Sequence, residues 1–176
     1  LIIFMDYSPG LRGVIAGETS ISTVGAEGKA LSYRGVDAVE LTISNNYQDT
    51  ASLIVDDSLD GIHFTKHFNH HYSKICENEF YYNLFLSLRE ELHPMDVIRT
   101  VISSSGELKD ASSIEQTARM IALSSFVIAH YVNNGSAKIQ GGLQIKEYLV
   151  SSALLPGQED AQLLEALDDV LILYAE

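Results

Sequence analysis

Basic residues are scarce in this chain. Eleven lysines and arginines stand against 24 aspartates and glutamates, a formal net charge of −13 over 176 residues. Such a surface repels a phosphate backbone, which argues against nucleic acid as a partner. Cysteine is scarcer still. Cys76 stands alone, so no internal disulfide can form, and a reducing cytoplasm is the expected compartment. No apolar run approaches the ~18 residues that suggest a membrane helix. The apolar start Leu1-Ile2-Ile3-Phe4-Met5 is too short to span a bilayer and lacks the basic flank of a secretory signal. Repeats, low-complexity tracts and linkers are also missing, so one domain is expected.

What is present suits a globular domain with its own core: 46% hydrophobic and 20% charged residues. The only good strand signals lie early. Thr19 to Val24 is rich in β-branched residues, Gly25-Ala26-Glu27-Gly28 reads as a turn, and Ala30 to Arg34 returns as a partner strand. The rest reads as helix. Asp37 caps a short helix through about Leu41, Asn45-Asn46 interrupts, and a second helix runs from Gln48 to Val55. Ile62 to Leu92 is expected to be mostly helical. Pro94 opens the next helix, because proline has no amide hydrogen to lose in a first turn, and Gly106 ends it.

Ser112 and Glu115 have capping-box spacing. Behind them Ala118, Ile121, Ala122, Ser125, Ile128 and Ala129 form a close-packing face that suits either the core or a partner helix. Asn133-Asn134-Gly135 reads as a helix stop, and Gly141-Gly142 and Pro156-Gly157 bracket another short helix. The last helix opens at Asp160. Its end, Leu171 to Tyr174, would form an apolar patch if exposed, another route to self-association.

Histidines make the densest polar cluster. His63, His67 and His70 or His71 fall near one face of a helix, a geometry able to hold zinc or nickel. A solvated, histidine-rich face explains the same spacing, and no native metal site is assigned. His93, in His-Pro-Met-Asp, reads as a helix-start residue with Asp96 near the helix N-terminus. Arg34 suits either a carboxylate or phosphate ligand or a pairing with a neighbouring acid that pins the β segment. Asp168-Asp169 reads as a solvated helix face, and Cys76 as a packed small side chain. There is no Walker lysine behind Gly25-Ala26-Glu27-Gly28 and no Gly-x-Ser-x-Gly elbow.

Four segments carry a resemblance. They are Leu11-Arg12-Gly13-Val14-Ile15-Ala16-Gly17-Glu18-Thr19 with Ser22-Thr23-Val24-Gly25, then Leu31-Ser32-Tyr33-Arg34-Gly35, then His93 to Thr100, and last Leu167 to Glu176. In content and order they resemble the citrate synthase and 2-methylcitrate synthase family. Ile-Ala-Gly-Glu-Thr and Leu-Ile-Leu-Tyr-Ala-Glu look closer to the 2-methylcitrate branch.

The resemblance implies a mainly α, multihelical large domain with a small β excursion near the N-terminus. Residues 1–176 would be part of that domain, in the N-terminal half, ending before the catalytic residues. It implies condensation of propionyl-CoA or acetyl-CoA with oxaloacetate. A carboxylate deprotonates the acyl α-carbon, one histidine stabilises the enol and another assists at oxaloacetate. None of these groups maps onto this chain, so no catalytic or cofactor-binding residue is assigned and the chain alone is expected to be inactive. No tightly bound cofactor is expected; acyl-CoA is a substrate of the complete enzyme. A homodimer is implied. Two further readings stand beside this one: a divergent, non-catalytic member acting as a helical interaction module, and an unrelated helical protein with a histidine-face metal site.

Overall fold

Between Ser22 and Asp37 the backbone forms three short antiparallel strands: β1 (Ser22–Val24), β2 (Leu31–Tyr33) and β3 (Val36–Asp37), in that spatial order. Ser22 faces Tyr33 and Val24 faces Leu31, while Tyr33 also faces Val36. This computed structural model describes residues 10, 13–15, 17–25, 30–132, 145–147 and 161–175. The expected turn at Gly25 to Gly28, the stop at Asn133-Asn134-Gly135 and the signals at Gly141-Gly142 and Pro156-Gly157 lie wholly or partly outside the described residues.

The remaining described residues are mainly helical, as the sequence predicts. Asp37 Oδ1 accepts from the amides of Val39 and Glu40 at 2.8 and 3.1 Å, capping α1 (Ala38–Ser44). A cap of this kind contributes about 1 kcal/mol by satisfying amides that have no partner within the helix. Asn46 and Asp49 cap α2 (Tyr47–Asp56) reciprocally, in a capping box. That helix is one residue longer at each end than the spacing predicts.

Ile62 to Leu92 is mostly helical, as expected, and the helical stretch is divided in two. Asn78 ends α3 (Ile62–Glu77) and starts α4 (Glu79–Leu88), its side chain accepting from Phe80 N at 3.0 Å. An asparagine offers the backbone this local alternative to continuing the helix. His93 Nδ1 accepts from Met95 N at 3.2 Å and starts α5 (Pro94–Ser104), with Pro94 in the first turn. Gly106 follows with φ +63°, a left-handed conformation that suits glycine. Further along the chain come α6 (Ser113–Val132) and α7 (Ala161–Leu173), with residues 145–147 also helical.

Two hydrophobic clusters hold these elements. In the larger, Phe64, Phe68, Tyr72 and Ile75 of α3 share a core with Ala118, Ala122, Leu123 and Phe126 of α6, and with Phe85, Val97 and Val101. Full burial of each phenylalanine contributes roughly 1.5–3 kcal/mol. The small-residue face of α6 is internal: Ala118, Ala122, Ser125 and Ala129 are all buried within this one chain. Their lack of bulk leaves room for the aromatic residues of α3. In the smaller cluster Tyr33, Ala38, Leu41, Leu53 and Ile172 join the sheet to α1, α2 and α7. Among the described residues no helix is long and apolar enough to cross a membrane.

Candidate functional site

The Leu31-Ser32-Tyr33-Arg34-Gly35 motif turns back between β2 and β3. Arg34 and Gly35 both have positive φ, +49° and +84°. A two-residue hairpin loop with positive φ at both positions matches the right-handed twist of its strands, and glycine makes the second position cheap. Alternation along β2 then sends Tyr33 inward, where it is 1% exposed. Its hydroxyl donates to Ile172 O at 3.0 Å and lies 3.2 Å from Leu173 O. These carbonyls belong to the last turn of α7, where helix-internal donors run out; Ile172 O also accepts the Ala175 amide at 3.2 Å.

Arg34 works beside it. Nε and Nη2 donate to Ile54 O at 3.3 and 2.9 Å, and Nη1 donates to Ser20 Oγ at 2.9 Å. Arg34 does pin the β segment, but through the backbone carbonyl of Ile54 and the Ser20 hydroxyl rather than the expected acid.

One turn back along α7, Asp168 overturns the solvated-face reading of Asp168-Asp169. Asp168 is 5% exposed. Its Oδ1 accepts from Tyr47 N at 3.1 Å and its Oδ2 lies 2.9 Å from Lys146 Nζ. Tyr47 is the first residue of α2, so the carboxylate also meets the positive end of that helix dipole. Asp168 shares the inward face with Leu164 and Ile172, a four-residue spacing that could have signalled its burial. Its neighbour Asp169 is partly exposed. The expected apolar end is also divided: Ile172 is fully buried, while Leu173 and Tyr174 are exposed.

The histidine cluster is split as well. His63 and His70 are exposed on α3, whereas His71 is buried. His71 Nε2 lies 3.2 Å from Glu115 Oε1, and His67 Nδ1 lies 4.0 Å from the same oxygen. The Glu115 amide takes Ser112 Oγ as its cap at 3.3 Å, while the Glu115 carboxylate reaches across to α3. Burial lowers the His71 pKa from its ordinary value, against the opposing hydrogen bond and charge of Glu115. Cys76 is half-buried, and desolvation pushes its thiol up to about 11, so it is not an activated nucleophile.

Coenzyme A phosphates need a local cluster of free cations. Arg34 is committed to Ile54, Lys146 to Asp168, and Arg119 to the carbonyls of Ser105 and Gly106 at 2.6 and 3.1 Å. These three cations serve the fold.

A family model described as citrate synthase, C-terminal domain, matches residues 10–176. The 2-methylcitrate synthase of Shewanella oneidensis is 30% identical over 182 residues, covering 95% of this chain and 47% of that protein. The citrate synthase of Acidithiobacillus ferridurans is 28% identical over 191 residues, covering 97% of this chain and 48% of that protein. The citrate/2-methylcitrate synthase of Bacillus subtilis is 32% identical over a shorter 102 residues, 56% of this chain and 27% of that protein. The chain spans about half the length of the first two relatives.

Proposed function

The chain belongs to the citrate synthase family, and from that premise we propose that it supplies the large-domain scaffold of an enzyme condensing an acyl-CoA with oxaloacetate. Propionyl-CoA or acetyl-CoA is the proposed acyl donor. The observation that carries this reading is the anchorage of α7. Tyr33 of the hairpin motif holds the carbonyls of Ile172 and Leu173, immediately before the Tyr174-Ala175-Glu176 ending. In the family pattern the first catalytic histidine follows that ending. The described end of α7, a few residues ahead of that position, is fixed by Tyr33, Asp168 and the burial of Ile172. Condensation requires acid and base groups held at hydrogen-bonding distance, so a rigid approach to the first of them is functional.

We place this chain ahead of the catalytic histidine because of the order of its motifs. No acid-base set and no free cation cluster for CoA is proposed within the chain, so turnover requires groups outside residues 1–176. We also propose that the complete protein works as a cytoplasmic homodimer without a tightly bound cofactor. Burial of the small-residue face of α6 inside the chain favours other helices for that pairing.

The assay supplies oxaloacetate with acetyl-CoA or propionyl-CoA and follows free thiol. The 176-residue chain alone is expected to stay at the no-protein blank. Thiol release above that blank overturns the assignment of the catalytic groups to the rest of the protein.

A further inference from the structure

We propose that His67, His71 and Glu115 form a binding site for a divalent transition-metal ion that clips α3 to α6. The two histidines are four residues apart, so both imidazoles lie on the side of α3 that meets α6. One donor atom from each of the three side chains falls within a common 4.8 Å. Imidazole nitrogen and carboxylate oxygen bind zinc-type ions at about 2.0–2.2 Å, which puts neighbouring tetrahedral ligands roughly 3.3–3.5 Å apart. The His71–Glu115 separation of 3.2 Å nearly meets that spacing already, and the His67–Glu115 separation of 4.0 Å closes by side-chain rotation.

Chemistry and access agree with the geometry. Two imidazoles and one carboxylate suit zinc, cobalt or nickel better than magnesium or calcium, which prefer all-oxygen shells. Three protein ligands leave a fourth position for water. The side chains of His67 and Glu115 are 30% and 29% exposed, so an ion has a path in, while the 11% exposure of His71 fixes the inner ligand. The Arg119 guanidinium, a nearby positive charge, is held by the carbonyls of Ser105 and Gly106. A hydrogen bond between His71 and Glu115 explains two of the three residues. It leaves His67 unexplained, its Nδ1 4.0 Å from the same oxygen.

The exposed histidines on the same helix provide an internal control. Chelator-treated chain is titrated with Co²⁺ and followed by its visible d–d absorption, with Zn²⁺ added afterwards. A single saturable equivalent is expected, displaced by Zn²⁺. His63→Ala together with His70→Ala is expected to leave the titration unchanged. Loss of even an outer partner of a metal site costs about 10–100-fold in affinity, so Glu115→Gln and His67→Asn, each checked for native circular dichroism, are expected to weaken binding at least that much. Zn²⁺ should also raise the unfolding midpoint of the unaltered chain, because the ion binds only where the two helices are packed. The proposal is overturned by absence of saturable binding, by binding that survives both single substitutions, or by binding lost on removing His63 and His70.

Discussion

The hydroxyl of Tyr33 lies 3.0 Å from the carbonyl oxygen of Ile172, linking residues 139 positions apart. One motif tyrosine thereby fixes the final turn of α7. Tyr33→Phe keeps the ring and removes the donor. It should destabilise the chain by roughly 0.5–1.5 kcal/mol, the net worth of one hydrogen bond, because the Ile172 carbonyl keeps the Ala175 amide at 3.2 Å. Urea denaturation checks this, and an unchanged midpoint would show that the bond contributes nothing.

Asp168 is expected to matter more. Asp168→Ala strands the Lys146 ammonium, which is 19% exposed, and the amide of Tyr47. Breaking a buried pair by removing one partner costs about 3–5 kcal/mol. Partial exposure of Lys146 favours the lower end. Asp169→Ala, on the outer side of the same helix, should change stability by less than about 0.5 kcal/mol. Equal effects of the two substitutions in denaturation would refute the burial argument.

Gly61 offers a test of close packing. A Cβ there would lie 2.6 Å from Asp49 Oδ1 and 2.8 Å from Asp49 N. Asp49 is already engaged, receiving the amide of Gly61 at 3.0 Å and taking part in the capping box of α2. Gly61→Ala should therefore cost about 1–3 kcal/mol from overpacking. A variant as stable as the parent would mean that the α2–α3 loop relaxes freely.

Acid should weaken the fold through its buried histidines. Burial lowers the pKa of His130, opposed by its bond to Phe126 O, and lowers that of His71. Both have an ordinary value near 6.5, so on acidification the unfolded chain takes up protons first. Their contribution is present above about pH 6.5 and is lost as pH falls through the lower folded values. Unfolding midpoints between about pH 8 and about pH 5 should fall accordingly, and His130→Phe should flatten the dependence. A slope unaltered by that substitution would remove His130 from the account.

Local chemistry was legible in the residues. Asp37, Pro94 and Gly106 act where their types predict, because caps and turns depend on a few neighbours. The small-residue stripe on α6 predicts close packing but not the partner; the structure shows it buried in the core. Long-range pairing was not legible. Nothing local links Glu115 to His71, 44 residues away, and the capping-box spacing points its carboxylate elsewhere. Asp168 misleads for a related reason: a charged residue beside another reads as surface until Lys146 and the start of α2 are brought to it.

The central proposal is that Tyr33 and Asp168 fix the end of α7 as the approach to a catalytic histidine of the complete enzyme. Reading the coding sequence past Glu176 tests it most directly. The account predicts histidine at the next codon, with a second histidine and an aspartate of the condensing set further on. A stop codon, or any other residue in place of that first histidine, would contradict it.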